Sequence, residues 1–262
     1  MTVEPTRRGA IAGAAVLAGA FGLPRVSAQS SSKTFVLVHG AWHGGWCWRR
    51  VADLLEAKGH KVFAPTMTGL GERSHLLTKE VNLTTHITDI SNVIVWENLS
   101  DIVLVAHSYG GLIANGVAER HHENISSIIF LDAFLPEDQE TLLEKSSPAF
   151  VDAIKAAIAK GDSGIKAPPA SAFGVEEKDR AWIDSKTTPH PVGTYTEKAV
   201  FTGARDKIGK KMYVRAKGYK SPTFDANLAR VKAKGDWKTL ELDIGHDVMV
   251  IDPQKVSEIL LS

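Results

Sequence analysis

A single cysteine, Cys47, stands in this chain of 262 residues. It excludes an internal disulfide, and without a Cys/His cluster at zinc-ligand spacing neither redox chemistry nor a structural metal is suggested. A basic excess is missing as well, because 31 Lys and Arg face 30 Asp and Glu for a formal charge of +1. Nucleic-acid binders carry a clustered basic surplus, and no basic stripe stands out, so that class is set aside. No stable membrane span is expected either. The apolar run from Ala10 to Leu23 is too short and too rich in Gly and Ala, where a span needs about 20 strongly apolar residues. What remains is 44% hydrophobic and 23% charged, a globular composition long enough for one sizeable α/β domain or two small ones.

That apolar run has another use. Arg7-Arg8 precedes it and Val26-Ser27-Ala28 follows it, the order of a signal peptide over residues 1–28. The paired arginines after Thr6 resemble a twin-arginine export signal, although Gly9-Ala10 replaces the usual large apolar pair, and an ordinary general-secretion signal is the alternative. Export to the periplasm or medium of a bacterium is the expected localisation. Cleavage after Ala28 removes Arg7, Arg8, Arg25 and Glu4, taking 31 basic and 30 acidic residues to 28 and 29. The mature chain is then near neutral.

From Lys33 onward, short β-branched runs alternate with longer helical patterns, the signature of a mostly parallel sheet covered on both faces. The strands expected are Thr34 to Val38, Lys61 to Ala64, Ile102 to Val105, Ser127 to Leu131, Lys211 to Val214 and Thr239 to Leu242. Helices are expected at about Trp46 to Lys58, Thr84 to Leu99, Gly110 to His122, Phe224 to Lys234 and Pro253 to Leu260, the last with Asp252 as N-cap. Residues 136–203 break the alternation, being too long for a loop and lacking a convincing sheet strand. They read as a helical cap inserted after the fourth strand, with 29–135 and 204–262 forming the core.

Ser108, in Ala106-His107-Ser108-Tyr109-Gly110, follows the apolar run Ile102 to Val105 and precedes a helix opening with Gly110-Gly111. A strand that turns into a helix at a serine holds that serine in strain and needs small neighbours, the nucleophile elbow of an α/β hydrolase. Ala106 stands for the first glycine of that pattern. Such an elbow takes its oxyanion donors from the N–H after the nucleophile and from the loop after the first strand, here Tyr109 and Ala41 in His39-Gly40-Ala41-Trp42-His43. Gly40 gives the backbone room to approach a substrate carbonyl. A metal reading of His39 and His43, four residues apart, has against it the glycine loop they bracket and the lack of a carboxylate nearby in sequence. His246, in Gly245-His246-Asp247 after the last strand, is where this order of elements delivers a general base. His60, His75, His86, His121 and His122 read as loop or helix-surface residues.

With these pieces in place the chain resembles the plant hydroxynitrile lyases and methyl-salicylate-type methylesterases and their bacterial esterase relatives. The resemblance is carried by Phe35 through Trp46, Leu54-Leu55-Glu56, Gly59 through Val62, Ala106 through Gly111, Leu135-Pro136 and Gly245-His246-Asp247. It implies the α/β-hydrolase fold, with a mostly parallel sheet of about six strands, helices on both faces and a helical cap. Lyases of this family carry threonine where Gly40 stands and lysine at the position of Asp247, a carboxylate that would repel the cyanide a lysine stabilises. Hydrolysis is therefore favoured. The family's usual acid follows the strand that is here Lys211 to Val214, yet Arg215 to Lys220 contains no carboxylate. Asp132, after the preceding strand, is the expected triad acid. A turn-capping role is its alternative, and Asp225 and Asp243 are the reserves.

The expected activity is that of a serine carboxylesterase acting on a small hydrophobic or aromatic ester through an acyl-enzyme, with no cofactor. Gly40, Trp42, Phe134, Trp182 and Tyr195 are the expected pocket residues, Trp182 being equally readable as core. Cyanohydrin cleavage, amide or carbamate hydrolysis, and a non-catalytic ligand receptor are the rival functions. The partner is a small molecule, and a homodimer is left open.

Overall fold

The β-branched runs and the glycines that punctuate them dictate where the chain extends and where it turns. The computed structural model of the chain describes residues 32–262, and the expected signal over residues 1–28 lies outside them. The strands are β1 (Thr34–Val38), β2 (Lys61–Phe63), β3 (Ile102–His107), β4 (Ile125–Leu131), β5 (Gly164–Ile165), β6 (His190–Pro191), β7 (Lys210–Ala216) and β8 (Lys238–Leu242). The helices are α1 (Arg49–Glu56), α2 (Leu83–Trp96), α3 (Gly110–His121), α4 (Leu142–Lys145), α5 (Pro148–Lys160), α6 (Glu177–Lys186), α7 (Pro222–Lys234), α8 (Val248–Ile251) and α9 (Pro253–Leu261).

Six strands form one sheet in the order β2-β1-β3-β4-β7-β8, every neighbouring pair parallel. This is the expected α/β-hydrolase architecture. A central parallel strand is covered on both faces and so reads as continuously apolar; all six residues of β3 are buried. The chain leaves β1 toward β2 on one side and then crosses to β3 on the other, so the loops after β1 and β3 open side by side at the carboxyl ends of the sheet. Such a switch in strand order is where α/β sheets bind ligands. Val38 pairs with Ala106, which brings residues 39–42 against residues 107–109.

Local chemistry sets the helix ends. Asn82 and Thr85 form a reciprocal capping box at the start of α2, and Asp252 accepts from the Lys255 amide at 2.9 Å ahead of Pro253 in α9. α2 stops three residues before the expected Leu99, because Asn98 takes a left-handed φ of 50° and the Leu99 amide folds back to Ile94 O at 2.9 Å. The helix expected from Trp46 begins instead as a tight turn over Gly45–Trp48 before α1. Between β4 and β7 no strand joins the main sheet; this insertion holds α4, α5, α6 and the antiparallel pair β5–β6.

Candidate active site

Ser108 is the first residue past β3 and has φ of 53°. Left-handed backbone costs a residue with a Cβ about 1–3 kcal/mol and persists only where neighbours enforce it. Here the Gly111 and Phe134 amides both donate to Ser108 O at 3.0 Å. Gly111, directly after the elbow, is sterically required: a Cβ there would run into the Phe134 carbonyl. Trp42 (φ 64°) and Asp132 (φ 44°) share this uncommon backbone, so three strained residues meet at the ends of β1, β3 and β4.

Asp132 is fully buried, and each of its oxygens is used. Oδ2 lies 2.7 Å from His246 Nδ1, while Oδ1 accepts from Arg215 Nη1 at 2.8 Å and from the Ala216 amide at 3.0 Å. A carboxylate on Nδ1 requires the proton there, which leaves Nε2 as the free, basic nitrogen. The His246 ring is packed by Tyr219 at 4.5 Å, Phe224 at 5.6 Å and His107 at 4.5 Å between centroids. Its backbone amide donates to Phe173 O at 2.7 Å. Ser108 and His246 line one cavity of about 470 Å³. No hydrogen bond joins them; bonds between such a serine and its base commonly tighten only with substrate in place.

The reserve acids are elsewhere. Asp225, 64% exposed at its side chain, takes Arg215 Nε at 2.8 Å, so Arg215 bridges the two aspartates. Asp243 is exposed. Lys217, at the family's usual acid position, pairs with Glu241 at 3.6 Å on the surface.

The loop after β1 is pinned by imidazoles. His39 Nδ1 donates to Gly40 O at 2.8 Å, and its Nε2 accepts from the Met67 amide at 3.2 Å. Burial lowers the His39 pKa to about 3 despite the Gly40 bond. The Trp42 amide donates to His190 Nδ1 at 3.4 Å, its carbonyl accepts from the Thr188 amide at 3.0 Å, and its indole donates to Ile165 O at 2.9 Å. Among the described residues the amides of Ala41 and Tyr109 find no partner. Two unpaired N–H groups beside a strained serine are what an oxyanion hole needs.

Of the expected pocket residues, Trp42, Phe134 and Tyr195 line the cavity. Trp182 does not: it packs edge-on against Trp46 at 5.1 Å and under the Arg50 guanidinium at 4.9 Å, on another face of the loop. Gly40 is also outside the wall, backing the serine; a Cβ there would stand 2.9 Å from Ser108 Cβ and 3.0 Å from His107 Nδ1. Asp247, read from sequence as facing a substrate, is fully buried and turned toward His43. Phe150, Phe173, Tyr219 and Phe224 complete the wall and had no local sequence signal.

His86 is buried rather than on a helix surface, with Nε2 on Thr68 O at 2.8 Å and Nδ1 on the Tyr109 hydroxyl at 3.0 Å. Its place between Leu83 and Ile90 on α2 carried that signal. His60 is buried too, its Nδ1 accepting from the Lys33 amide at 3.1 Å. His39 and His43 do not converge on a metal: the His39 ring bonds Gly40 O and the Met67 amide, and the His43 ring bonds Ala41 O and the Asp247 carboxylate. Among the described residues one trio, His107, His246 and Asp247, brings ligand atoms within 4.8 Å of one another. Asp132 and His43 hold His246 Nδ1 and Asp247 Oδ2, while His107 Nδ1 and Asp247 Oδ1 have no hydrogen-bond partner among the described residues.

A parallel sheet in this strand order, with a strained serine after its central strand, defines an α/β-hydrolase fold. The alpha/beta hydrolase family pattern matches residues 35–259. The carbendazim-hydrolyzing esterase of Nocardioides sp. (strain SG-4G) is 38% identical over 233 residues, 86% of this chain and 96% of that protein. Methylesterase 2 of Arabidopsis thaliana is 36% identical over 138 residues, 48% of this chain and 47% of that relative. Among solved structures, an extracellular α/β-hydrolase of a Paenibacillus species superposes with a TM-score of 0.76 at 21% identity, covering 87% of this chain and 98% of that one. The chain belongs to the alpha/beta hydrolase family.

Proposed function

We propose that this enzyme is a serine carboxylesterase that hydrolyses small aromatic or hydrophobic esters through an acyl-enzyme. The observation that carries the reading is the 2.7 Å bond from His246 Nδ1 to buried Asp132, in one cavity with strained Ser108. His246 Nε2 takes the Ser108 proton as Oγ attacks the ester carbonyl, and the Ala41 and Tyr109 amides stabilise the oxyanion. The protonated His246 then gives its proton to the departing alcohol. Water enters, loses a proton to His246 and releases the acid, while Asp132 keeps the imidazole oriented throughout. Residues 136–203 serve as a cap, since Phe150, Phe173 and Tyr195 from the insertion face Ser108 across the cavity.

Aromatic rings on several sides suit a flat acyl group. The relative named for hydrolysing carbendazim, a methyl carbamate on a benzimidazole, favours a second substrate class of aryl carbamate methyl esters for the same site. Cyanohydrin cleavage has less support, because no lysine follows His246 and Gly40 offers no hydroxyl. Export rests on residues 1–28, and no helix among the described residues is long and apolar enough to cross a membrane. N-terminal sequencing of the secreted protein, expected to begin at Gln29, tests it. For the activity, p-nitrophenyl esters, aromatic methyl esters, carbendazim and mandelonitrile are compared on the wild type and Ser108→Ala. Ester turnover lost in the variant is expected, and retained turnover refutes the mechanism.

A further inference from the structure

Two neighbouring residues on the loop after β8 point opposite ways. His246 faces the cavity, whereas Asp247 turns back under the loop after β1. Asp247 Oδ2 lies 3.2 Å from His43 Nε2, and both residues are buried. The other ring nitrogen, His43 Nδ1, lies 2.8 Å from Ala41 O. A carboxylate and a carbonyl can only accept, so the ring between them carries both protons and is an imidazolium. Burial opposes each charge, yet the Asp247 charge and hydrogen bond raise the His43 pKa. Against the same penalty, His43 brings Asp247 down to about 2. The two directions agree on an ion pair.

Buried ion pairs stabilise little compared with apolar residues of the same shape, so this one calls for a positional use. What it grips is the Ala41–Trp42 peptide. His43 holds the carbonyl of that peptide and His190 accepts its N–H. The preceding peptide has its carbonyl on His39 and its N–H, that of Ala41, free. With Trp42 at φ 64° the loop would relax without these restraints.

We propose that the His43–Asp247 ion pair is a positioning device that ties the residue after the base to the peptide beside the Ala41 donor. It fixes the distance between general base and oxyanion hole, and it rests on the roles proposed above for Ser108, His246 and Ala41. Neither residue touches substrate; both act through the loop.

The test is Asp247→Asn, which keeps the shape and removes the charge, assayed with p-nitrophenyl benzoate. Loosening one oxyanion donor, rather than deleting it, lowers kcat by about 10- to 100-fold with KM within about twofold. A second readout separates positioning from general damage. 2,2,2-Trifluoroacetophenone adds Ser108 Oγ to its carbonyl, the serine proton passing to His246, and the resulting oxyanion occupies the hole. Its affinity falls in step with kcat, while benzoate, the acid product, binds as before. Should Asp247→Asn fail to fold because His43 is left unpaired, His43→Gln/Asp247→Asn, which buries no charge, is expected to show the same split. Unchanged kcat in a folded variant, or equal losses for ketone and benzoate, overturns the proposal. Ser108→Ala run alongside separates the two failures: activity without the serine refutes the esterase reading, whereas a dead serine variant beside a fully active Asp247→Asn refutes only the ion pair's role.

Discussion

Lowering the pH from 7.5 to 5 is expected to remove much of the stability of this fold through its buried imidazoles. His39 and His86 are buried and neutral, each accepting a hydrogen bond on one ring nitrogen and donating from the other. Burial takes them to about 3 and about 4, from 6.5 in an unfolded chain. The unfolded state therefore binds more protons below pH 6.5, and stability falls as pH falls. At pH 5 each histidine is nearly all charged when unfolded and nearly all neutral when folded, a difference of about 2 kcal/mol apiece, or about 4 kcal/mol together. Burial lowers His107 and His190 as well, so they add in the same direction. His43 acts the other way: its raised pKa contributes stability fully present below pH 6.5 and lost as pH rises through its folded value, so it offsets part of the loss. Against a typical total of about 5–15 kcal/mol this loss is large. Urea titrations at pH 7.5 and 5 measure it, with equal slopes showing that the same surface unfolds. His86→Gln removes one proton from the linkage and flattens the dependence by about 2 kcal/mol. A free energy at pH 5 within about 1 kcal/mol of that at pH 7.5 would refute the assignment of neutral buried imidazoles.

Four further outcomes are expected. Asp132→Asn, which leaves His246 without its orienting carboxylate, lowers kcat by about 10³- to 10⁴-fold. Asp225→Asn, at a largely exposed carboxylate, changes kcat by less than about threefold and stability by less than about 1 kcal/mol; the reverse pattern in steady-state assays would make Asp225 the acid. Trp182→Ala loses the Trp46 and Arg50 contacts and about 1–3 kcal/mol in thermal melts, with KM unchanged because Trp182 is outside the cavity. Gly40→Thr forces a Cβ to 2.9 Å from Ser108 Cβ, costing about 1–3 kcal/mol of stability and at least about tenfold in kcat. A rise in mandelonitrile cleavage by that variant would instead revive the lyase reading.

What was legible in the sequence is what local pattern encodes. Ser108 sits at a strand-to-helix change, and the same change of period located all six sheet strands within two residues at either end. His246 was proposed as the base by order along the chain, and Asp132 as the acid by the absence of a carboxylate where one was expected; the two side chains meet at 2.7 Å. Directions of side chains on irregular loops were not legible. Asp247 and His246 are neighbours with no periodicity to say that one faces the cavity and the other the protein interior. Trp182 belongs to the insertion, where an aromatic has equal reason to pack on Trp46 or to face a ligand. Gly40 was read as room for substrate, but the space it leaves is filled by Ser108 and His107. His86 was within reach, since its spacing from Leu83 and Ile90 matches the apolar face of α2, and a polar residue on such a face signals a buried hydrogen-bonding role.

Arg215 gives the position of the proposed acid an inertia of its own. It fills the end of β7 with a buried cation bound to Asp132, Asp225 and the carbonyls of Ala216 and Tyr219. Moving the carboxylate back to the end of β7 by one substitution would give an enzyme with two acids competing for that guanidinium. Removing Asp132 first would strand the guanidinium without its buried counter-charge. Either intermediate is handicapped, so the two arrangements of the acid are separated by at least two coupled changes. Descendants of this chain should therefore keep or lose Asp132 and Arg215 together.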